Sequence, residues 1–331
     1  MQRFKLWKLP ALARDKVIRQ MTPADAIYLS LVSKSFRRFL MAYKLHATLF
    51  HWSLKAETQN FMNVSIEFND NRHDDVEFVF GRYCVYDPQH ITPITPIKGS
   101  NLSFNRRGNT SFVMNPDGSP ARLPGMKEMS KFLLDILFVA KYAVERNTMD
   151  FNFLDFERFI LRTTKKFHSF CLSFRETYLS MEQLECLLET IQTEKLQLSI
   201  EIKNPHSWDP VEIPLRVPDS LTLYNCNWLS IDNLLEAKAK KINVRFVTYV
   251  MFDDVIRIIK SWMEGTKLKE MTNMCLFPVS SRVMEQVDTL NAVSRYNHPY
   301  AFGEYRQMKR VTDGKIAVFY ITRGELTITV P

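Results

Sequence analysis

Residues 9–40 have the sequence LPALARDKVIRQMTPADAIYLSLVSKSFRRFL, and their pattern predicts three short amphipathic helices. Pro10 suits a first helical turn, where its missing N–H would have no partner anyway. Val17, Ile18 and Met21 then fall on one helical face. Three helices of this length bury little apolar area by themselves, so the segment needs a neighbouring domain or a partner protein.

Two hydroxyl side chains predict the starts of the second and third helices. Thr22 precedes Pro23 and has an acidic residue, Asp25, three positions on, as in an N-terminal capping arrangement. Ser33 can cap the third helix, whose apolar side includes Phe36. The sequence therefore predicts two sharp breaks inside residues 9–40 and three helices between them.

The same segment resembles an F-box, the motif that docks substrate receptors onto SCF-type ubiquitin ligases. Leu-Pro at the start, an apolar pair, Pro-x-Asp and a final Val-Ser-Lys occur in the family's order and without a gap. The resemblance implies a Skp-type adaptor subunit as partner and, through it, a cullin. The implied adaptor-binding residues are Leu9, Pro10, Val17, Ile18, Met21, Pro23, Ile27, Leu29, Val32 and Phe36.

The positive charge of the chain is concentrated in this region. The first 45 residues contain ten basic and two acidic side chains, so they account for the whole formal charge of +8, and the remaining residues are formally neutral. Such a segment favours an acidic partner. Nucleic acid is also acidic, but the segment has no Cys/His finger and no dense Lys/Arg tract, which disfavours it.

Motifs of the common enzyme classes are missing from the sequence. The nine glycines are never closer than the seven positions between Gly118 and Gly125, which excludes GxGxxG, GxSxG and GxxxxGK. No histidine lies near a Cys-x-x-Cys pair. Asp70–Asp75 could hold a cation but lacks the glycine turn of a calcium loop, so we expect a polar hairpin loop there. We therefore expect no enzyme activity, no metal and no cofactor.

Composition places the protein among globular, reduced proteins. A chain of 331 residues can form two or three compact units. Its five cysteines are well separated and odd in number, which is typical of thiols in the cytosol or nucleus. The most apolar run, residues 132–144, is too short and too charged to cross a membrane, and the chain begins without the apolar core of a signal peptide.

The middle of the chain has a mixed pattern. We expect residues 46–60 to be helical or linking, and we expect strands at Phe61–Phe68 and Val76–Tyr86. Residues 87–125 hold most of the Pro and Gly, which predicts an irregular stretch with strands at 102–104 and 111–114. The apolar spacing after Met126 predicts one helix that continues to Arg146.

From His168 onwards strands alternate with helices. Strand starts at Leu196, Leu221, Ile242 and Leu268 are 25, 21 and 26 residues apart, which is the period of leucine-rich-repeat-like β-α units in a curved solenoid with a parallel sheet. Helices are predicted after Ser180, at 230–239 and at 253–264 before Gly265. An α/β domain with irregular spacing is the alternative.

The C-terminal part also resembles the F-box-associated type-2 region, which follows F-boxes in a large family. Three blocks are similar to that family: Trp228–Leu235, Asp253–Gly265 and the hairpin segment 313–330. With the first resemblance, this implies an F-box protein whose C-terminal domain binds a target. Trp228 and Trp262 lie on amphipathic segments, so we expect them in the core.

The sequence thus predicts an α/β chain, α+β overall, in three parts. Residues 1–45 are the F-box, 46–165 a β-rich and helical connecting region, and 166–331 a repeat domain ending in a hairpin. The predicted function is a non-catalytic substrate receptor that binds an unidentified protein. If the concave sheet face binds it, the candidate residues are Arg175, Glu201, Tyr224 and Arg245. A nucleic-acid-binding repeat protein and an F-box scaffold without a role in degradation are the alternatives.

Overall fold

The structure, a computed structural model, divides the chain into two compact units, residues 1–159 and 160–331. It describes residues 10–55, 61–68, 75–81, 91–93, 102–115, 119, 121–147, 153–202, 215–226, 228–280, 282–283, 287, 290, 293–296 and 305–331. Within these ranges the chain has mixed α/β content with eight helices. No helix in them is both long and apolar enough to span a membrane.

The first unit contains helices around one sheet. Its elements are α1 (Ala11–Gln20), α2 (Pro23–Val32), α3 (Lys34–Tyr43), β1 (Leu45–Lys55), β2 (Phe61–Glu67), β3 (Val76–Phe80), β4 (Ile91–Pro93), β5 (Ser103–Arg107), β6 (Thr110–Met114), α4 (Leu123–Ile136) and β7 (Leu137–Asn147). Helix α5 (Phe153–Thr163) begins in this unit and ends in the next. The strand order is β7-β1-β2-β3-β6-β5-β4, with parallel pairs at β1–β7 and β3–β6.

The three N-terminal helices occur where the sequence predicts them. The Thr22 side chain accepts a hydrogen bond from the Asp25 N–H, and Ser33 does the same for Phe36, so both predicted caps are confirmed. Helix α2 buries Ala24, Ile27 and Leu31. Because these side chains recur at helical spacing, one face of the helix is committed to the core.

Tyr28 joins α2 to the hairpin of β5 and β6. Its hydroxyl donates to the Asn109 carbonyl at 3.2 Å and accepts from the Ser111 hydroxyl at 3.0 Å. The Arg106 guanidinium carbon lies 3.9 Å from the centre of the Tyr28 ring. Phe104 stacks with the Tyr28 ring at a centroid distance of 5.7 Å and an interplanar angle of 30°. The helices are therefore packed onto the sheet rather than attached by a free linker.

Two predictions for the middle of the chain are wrong. Residues 45–55 form strand β1 instead of a helical or linking segment, and the predicted helix 126–146 ends at Ile136 and continues as strand β7. β1 and β7 run parallel from the pair Leu45–Leu137 to the pair Lys55–Asn147. The β-branched and aromatic residues of β7 suit a strand, and this long pairing overrides the helical spacing of its apolar side chains.

The second unit is built on a mixed sheet. Its elements are β8 (Lys166–Leu179), α6 (Met181–Thr190), β9 (Gln192–Ile202), β10 (Ser220–Tyr224), α7 (Ile231–Leu235), β11 (Lys241–Val250), α8 (Phe252–Glu264), β12 (Asn273–Val279), β13 (Val293–Tyr296), β14 (Tyr305–Lys309), β15 (Ile316–Thr322) and β16 (Glu325–Thr329). The strand order is β13-β14-β15-β16-β12-β11-β10-β9-β8. Strands β8 to β12 are parallel, and β12 pairs antiparallel with β16.

One face of the parallel strands is buried. Leu196, Leu221, Ile242 and Met274 share one register row, and each is at most 3% exposed. The next buried row two residues later is Leu198, Leu223, Val244 and Leu276. Because strand side chains alternate between faces, the residues between these rows point to the opposite face.

The β-α order of this unit agrees with the sequence, although some boundaries differ. The capping box of α6 is present, and Gly265 ends α8 in a left-handed conformation with φ of 69°. The last parallel strand starts at Asn273 rather than Leu268, after a turn, and α7 stops at Leu235 rather than 239. Whether these units form a leucine-rich-repeat-like solenoid stays a prediction.

Candidate functional site

An arginine between two aromatic rings lies at the carboxyl end of the parallel strands. Tyr224, Arg245 and Phe277 occupy one register row across β10, β11 and β12. The guanidinium carbon of Arg245 is 5.4 Å from the Tyr224 ring centre and 5.9 Å from that of Phe277. Both distances are within the range of cation–π attraction. The row lies on the face opposite the core, and Arg245 is exposed.

Exposed apolar side chains follow Arg245 along β11 and just beyond its end. β10 ends at Tyr224, whereas β11 continues to Val250 with an irregularity in its pairing to β12 after Arg245. Val247 is 59% exposed, Tyr249 67% and Met251 69%. The carboxyl-end patch is defined here as Tyr224, Arg245, Val247, Tyr249, Met251 and Phe277. Exposed aromatic and apolar side chains together with an arginine are typical of a protein-binding surface.

A groove of about 320 Å³ adjoins the patch, where β11 ends and helices α7 and α8 begin. Its lining includes Leu229 and Ile231 together with Tyr249 and Met251. Its polar side has an ion pair between Asp232 and Arg257. Burial raises the pKa of Asp254, Arg257 opposes this shift, and Asp253 and Asp232 add to it. The groove is therefore apolar at one wall and acidic at the other.

Met251 stands where a capping residue would normally begin a helix. Helices α2, α3, α6 and α7 each start at a Ser or Thr whose side chain accepts a backbone hydrogen bond. Helix α8 starts at Met251, which makes no such bond. A Ser, Thr, Asp or Asn there would stabilise the helix by roughly 0.5–2 kcal/mol. Met251 is therefore an exposed apolar side chain at a position where a polar one would stabilise the helix.

Two of the four predicted target-binding residues are in this patch. Tyr224 and Arg245 lie on adjacent strands and contact each other. Arg175 and Glu201 belong by their backbones to β8 and β9, and their side chains lie outside the described residues. The structure adds Val247, Tyr249, Met251 and Phe277, which the sequence analysis missed. The signal available for Val247 and Tyr249 was their continuation of the outward alternation from Asn243 and Arg245.

The predicted adaptor-binding residues divide by exposure. Ile18, Ile27 and Phe36 are at most 4% exposed and pack inside the first unit. Pro10 and Val32 are exposed, and Leu9 lies outside the described residues. The remaining predicted residues are intermediate in exposure: Val17, Met21, Pro23 and Leu29. A surface contact with a partner would therefore use the exposed and intermediate members of this set rather than the three buried ones.

Other apolar side chains of the three helices are exposed as well. Leu12 is 80% exposed, and Val32, Met41 and Tyr43 are each between 41% and 43%. Lys16, Lys34 and Arg38 are also exposed on these helices. This surface combines apolar side chains with positive charge. Within the described ranges, no cluster of His, Cys, Asp and Glu could hold a metal ion.

Comparison with known proteins identifies part of the second unit. Residues 216–276 match the family model described as F-box associated. The match supports an F-box-associated region, and it contains every residue of the carboxyl-end patch except Phe277, the residue directly after it. Two blocks of the sequence resemblance, Trp228–Leu235 and Asp253–Gly265, lie inside it. No curated protein and no solved structure matches the chain.

Proposed function

We propose that this protein is a non-catalytic substrate receptor of an SCF-type ubiquitin ligase. Its N-terminal helices bind a Skp-type adaptor, and through it a cullin, while the second unit binds a target protein. The observation on which the proposal rests is the position of the carboxyl-end patch. Exposed apolar and aromatic side chains lie within the segment that matches the F-box-associated family.

Adaptor binding by the N-terminal helices is supported by the order of the motif residues and by exposed apolar side chains. The segment has the Leu-Pro start and Val-Ser-Lys end that resemble an F-box. Leu12 and Val32 are available for apolar contact with a partner. The excess of basic residues over acidic ones would steer an acidic adaptor towards this surface.

The proposed mechanism is positional. A receptor that holds its target beside a ubiquitin-loaded enzyme raises the effective concentration of the target lysine. No step of this mechanism needs a nucleophile, a general base or a cofactor in the chain itself. The rate gain comes from converting an encounter of two free molecules into a reaction within one complex.

The test replaces one exposed apolar side chain in each unit with aspartate. We expect Leu12→Asp to abolish capture of a purified Skp-type adaptor, because it places a charge in an apolar contact. Leu12 is 80% exposed and Asp is tolerated in a first helical turn, so the fold should persist. Met251→Asp is the matched control. It puts the same charge on an exposed apolar site of the second unit and should leave adaptor capture unchanged.

The following results would contradict the proposed function. If the unaltered chain does not capture the adaptor, or if Leu12→Asp captures it equally well, docking through this surface is wrong. A chain that captures the adaptor but whose deletion leaves every cellular protein at its normal level would instead be a scaffold without a role in degradation. Proteins that accumulate after deletion are the candidate targets.

A further inference from the structure

We infer that the carboxyl-end patch binds a segment of the target in which an Asp or Glu side chain is followed by apolar side chains. This inference rests on the proposed function and specifies the chemistry of its target. It follows from three features of the patch: an unpaired cation, the rings that hold it, and the row of apolar side chains beside it.

Arg245 is a cation without an anionic partner in the described part of the second unit. Some other basic side chains of this unit have acidic partners: Arg257 pairs with Asp232, Lys267 with Glu236, and Arg310 with Asp313. The Arg245 guanidinium contacts the rings of Tyr224 and Phe277. Glu325 lies on β16, the strand that pairs with β12. Burial raises the pKa of the Cys275 thiol, and its interaction with Glu325 raises it further.

The two rings prepare Arg245 for a carboxylate. They lie in the same register row on either side of it and within cation–π distance, so they restrict the guanidinium. A guanidinium presents donors in a planar fork that fits both oxygens of a carboxylate. A side chain that is already ordered by such contacts loses less entropy when it binds.

The apolar side chains extend the binding surface beyond Arg245. Val247 and Tyr249 follow Arg245 on β11 and are 59% and 67% exposed. The pairing of β11 with β12 is irregular after Arg245, and Tyr249 and Met251 also line the groove. A ligand whose carboxylate lies at Arg245 can therefore place apolar side chains against Val247, Tyr249 and Met251.

The charges favour a single carboxylate over a phosphate. Phosphorylated motifs are bound by clusters of arginines, whereas Arg245 is the one arginine of the patch. The cation nearest to it on the same face of β11, Lys241, is four residues away, which is about 13 Å along a strand. Asp232 and Asp254 line the groove at the other end. A ligand with a second negative charge there would be repelled.

The test is a peptide selection with a charge reversal. A phage-displayed library of random linear peptides is selected on the full chain, on Arg245→Glu and on Lys260→Glu. Lys260 is an exposed residue of α8 that lies outside the patch, so its variant controls for the change in net charge. The unaltered chain and Lys260→Glu should enrich peptides in which Asp or Glu is followed by apolar residues. Arg245→Glu should enrich Lys or Arg in place of the acid.

Affinities of a selected peptide make the result quantitative. By fluorescence anisotropy, Arg245→Glu should weaken binding by about tenfold or more, as expected for a central charged contact. Tyr249→Ser should also weaken it, since that side chain is exposed and its loss leaves the core intact. Lys260→Glu should bind as the unaltered chain does.

Several results would overturn the inference. They are an empty selection on the unaltered chain, enriched peptides without an acidic residue, and equal affinity for Arg245→Glu. Tighter binding of a phosphoserine version, or displacement of the peptide by single-stranded DNA, would also contradict it. Adaptor capture by the same proteins separates the two proposals. If the peptide results hold and no variant captures the adaptor, the proposed function fails and the binding chemistry stands.

Discussion

Met251 is a single side chain in which stability and binding have opposite requirements. It is 69% exposed and begins α8 without a capping hydrogen bond. We expect Met251→Ser to stabilise the second unit by roughly 0.5–1 kcal/mol, because serine can accept a hydrogen bond from the first turn of the helix. Thermal unfolding measures this gain. The same variant should bind the selected peptide more weakly, since an apolar contact is lost.

A second uncapped helix provides the control. Helix α4 begins at Arg122, which also makes no side-chain capping bond and lies in the first unit. Arg122→Ser should stabilise that unit and leave peptide binding unchanged. If Met251→Ser bound the peptide as tightly as the unaltered chain, Met251 would have no role in the patch.

At this scale the sequence could predict some site residues and not others. Tyr224 and Arg245 follow from strand alternation, since they fall on the outward face of strands with a buried inward face. Phe277 and Met251 do not follow from it. Phe277 belongs to a strand whose start was placed five residues too early, and Met251 lies beyond the end of β11. Their position depends on how three chain segments align, which local pattern does not contain.

At the scale of elements, the wrong helix at 126–146 shows how pairing overrides spacing. Phe132 and Ile136 do lie on the buried face of α4, so the pattern was correct for its first half. Val139 and Ala143 continue the same spacing by coincidence, and their segment pairs with β1 instead. Long-range strand pairing is not visible in a local window, which explains why β1 and β7 were missed together.

A buried ion pair joins β7 to α5. Arg146 donates to the Glu157 carboxylate at 2.7 Å, and their side chains are 1% and 8% exposed. The second oxygen of Glu157 has no hydrogen-bond partner among the described residues. Burial raises the pKa of Glu157 from 4.5 to about 7, although the charge of Arg146 lowers it. Desolvation of the carboxylate therefore outweighs its attraction to arginine.

This pair predicts a pH dependence of stability. A carboxyl group with a raised folded-state pKa stabilises the fold fully below pH 4.5 and loses that contribution as the pH rises through 7. The loss is at most about 3 kcal/mol. Glu157→Gln cannot ionise, so its free energy of unfolding should fall less between those two pH values. Urea unfolding at a series of pH values measures the difference.

Glu67→Gln is the control for this measurement. It makes the same substitution at an exposed glutamate of the first unit. Its pH profile should match that of the unaltered chain. A Glu157→Gln profile parallel to the other two would mean that the Arg146 charge keeps Glu157 ionised, contrary to the balance described above.

At the scale of the whole molecule, net charge distinguishes the N-terminal helices from the rest of the chain. The first 45 residues account for the entire formal charge of +8. We expect the association rate with an acidic Skp-type adaptor to fall by about tenfold or more from low to high ionic strength, because screening removes long-range steering. Stopped-flow mixing at several salt concentrations measures this. Lys34→Glu with Arg38→Glu should flatten the dependence.

Peptide binding at the carboxyl-end patch should depend less on salt concentration than adaptor binding does. Residues after 45 are formally neutral, and peptide binding at the patch combines one charge contact with apolar contacts. Its association rate should change only a few-fold over the same range. An equal salt dependence at both ends would contradict the assignment of charge steering to the N-terminal helices. The charge distribution was predictable from sequence at this scale, because it depends only on composition along the chain. The order of elements was predictable in the second unit but not in the first, where β1 and β7 depend on long-range pairing.

The packing of Tyr28 limits how the three N-terminal helices could be exchanged between different proteins. Its hydroxyl and ring are held by residues of the β5–β6 hairpin, more than seventy positions later in the chain. A cut after Lys44 would leave the inner face of α2 without the surface that covers it. The three helices are therefore not portable by themselves. A receptor made by exchanging recognition domains would have to be joined after the first sheet, so that the hairpin travels with the helices.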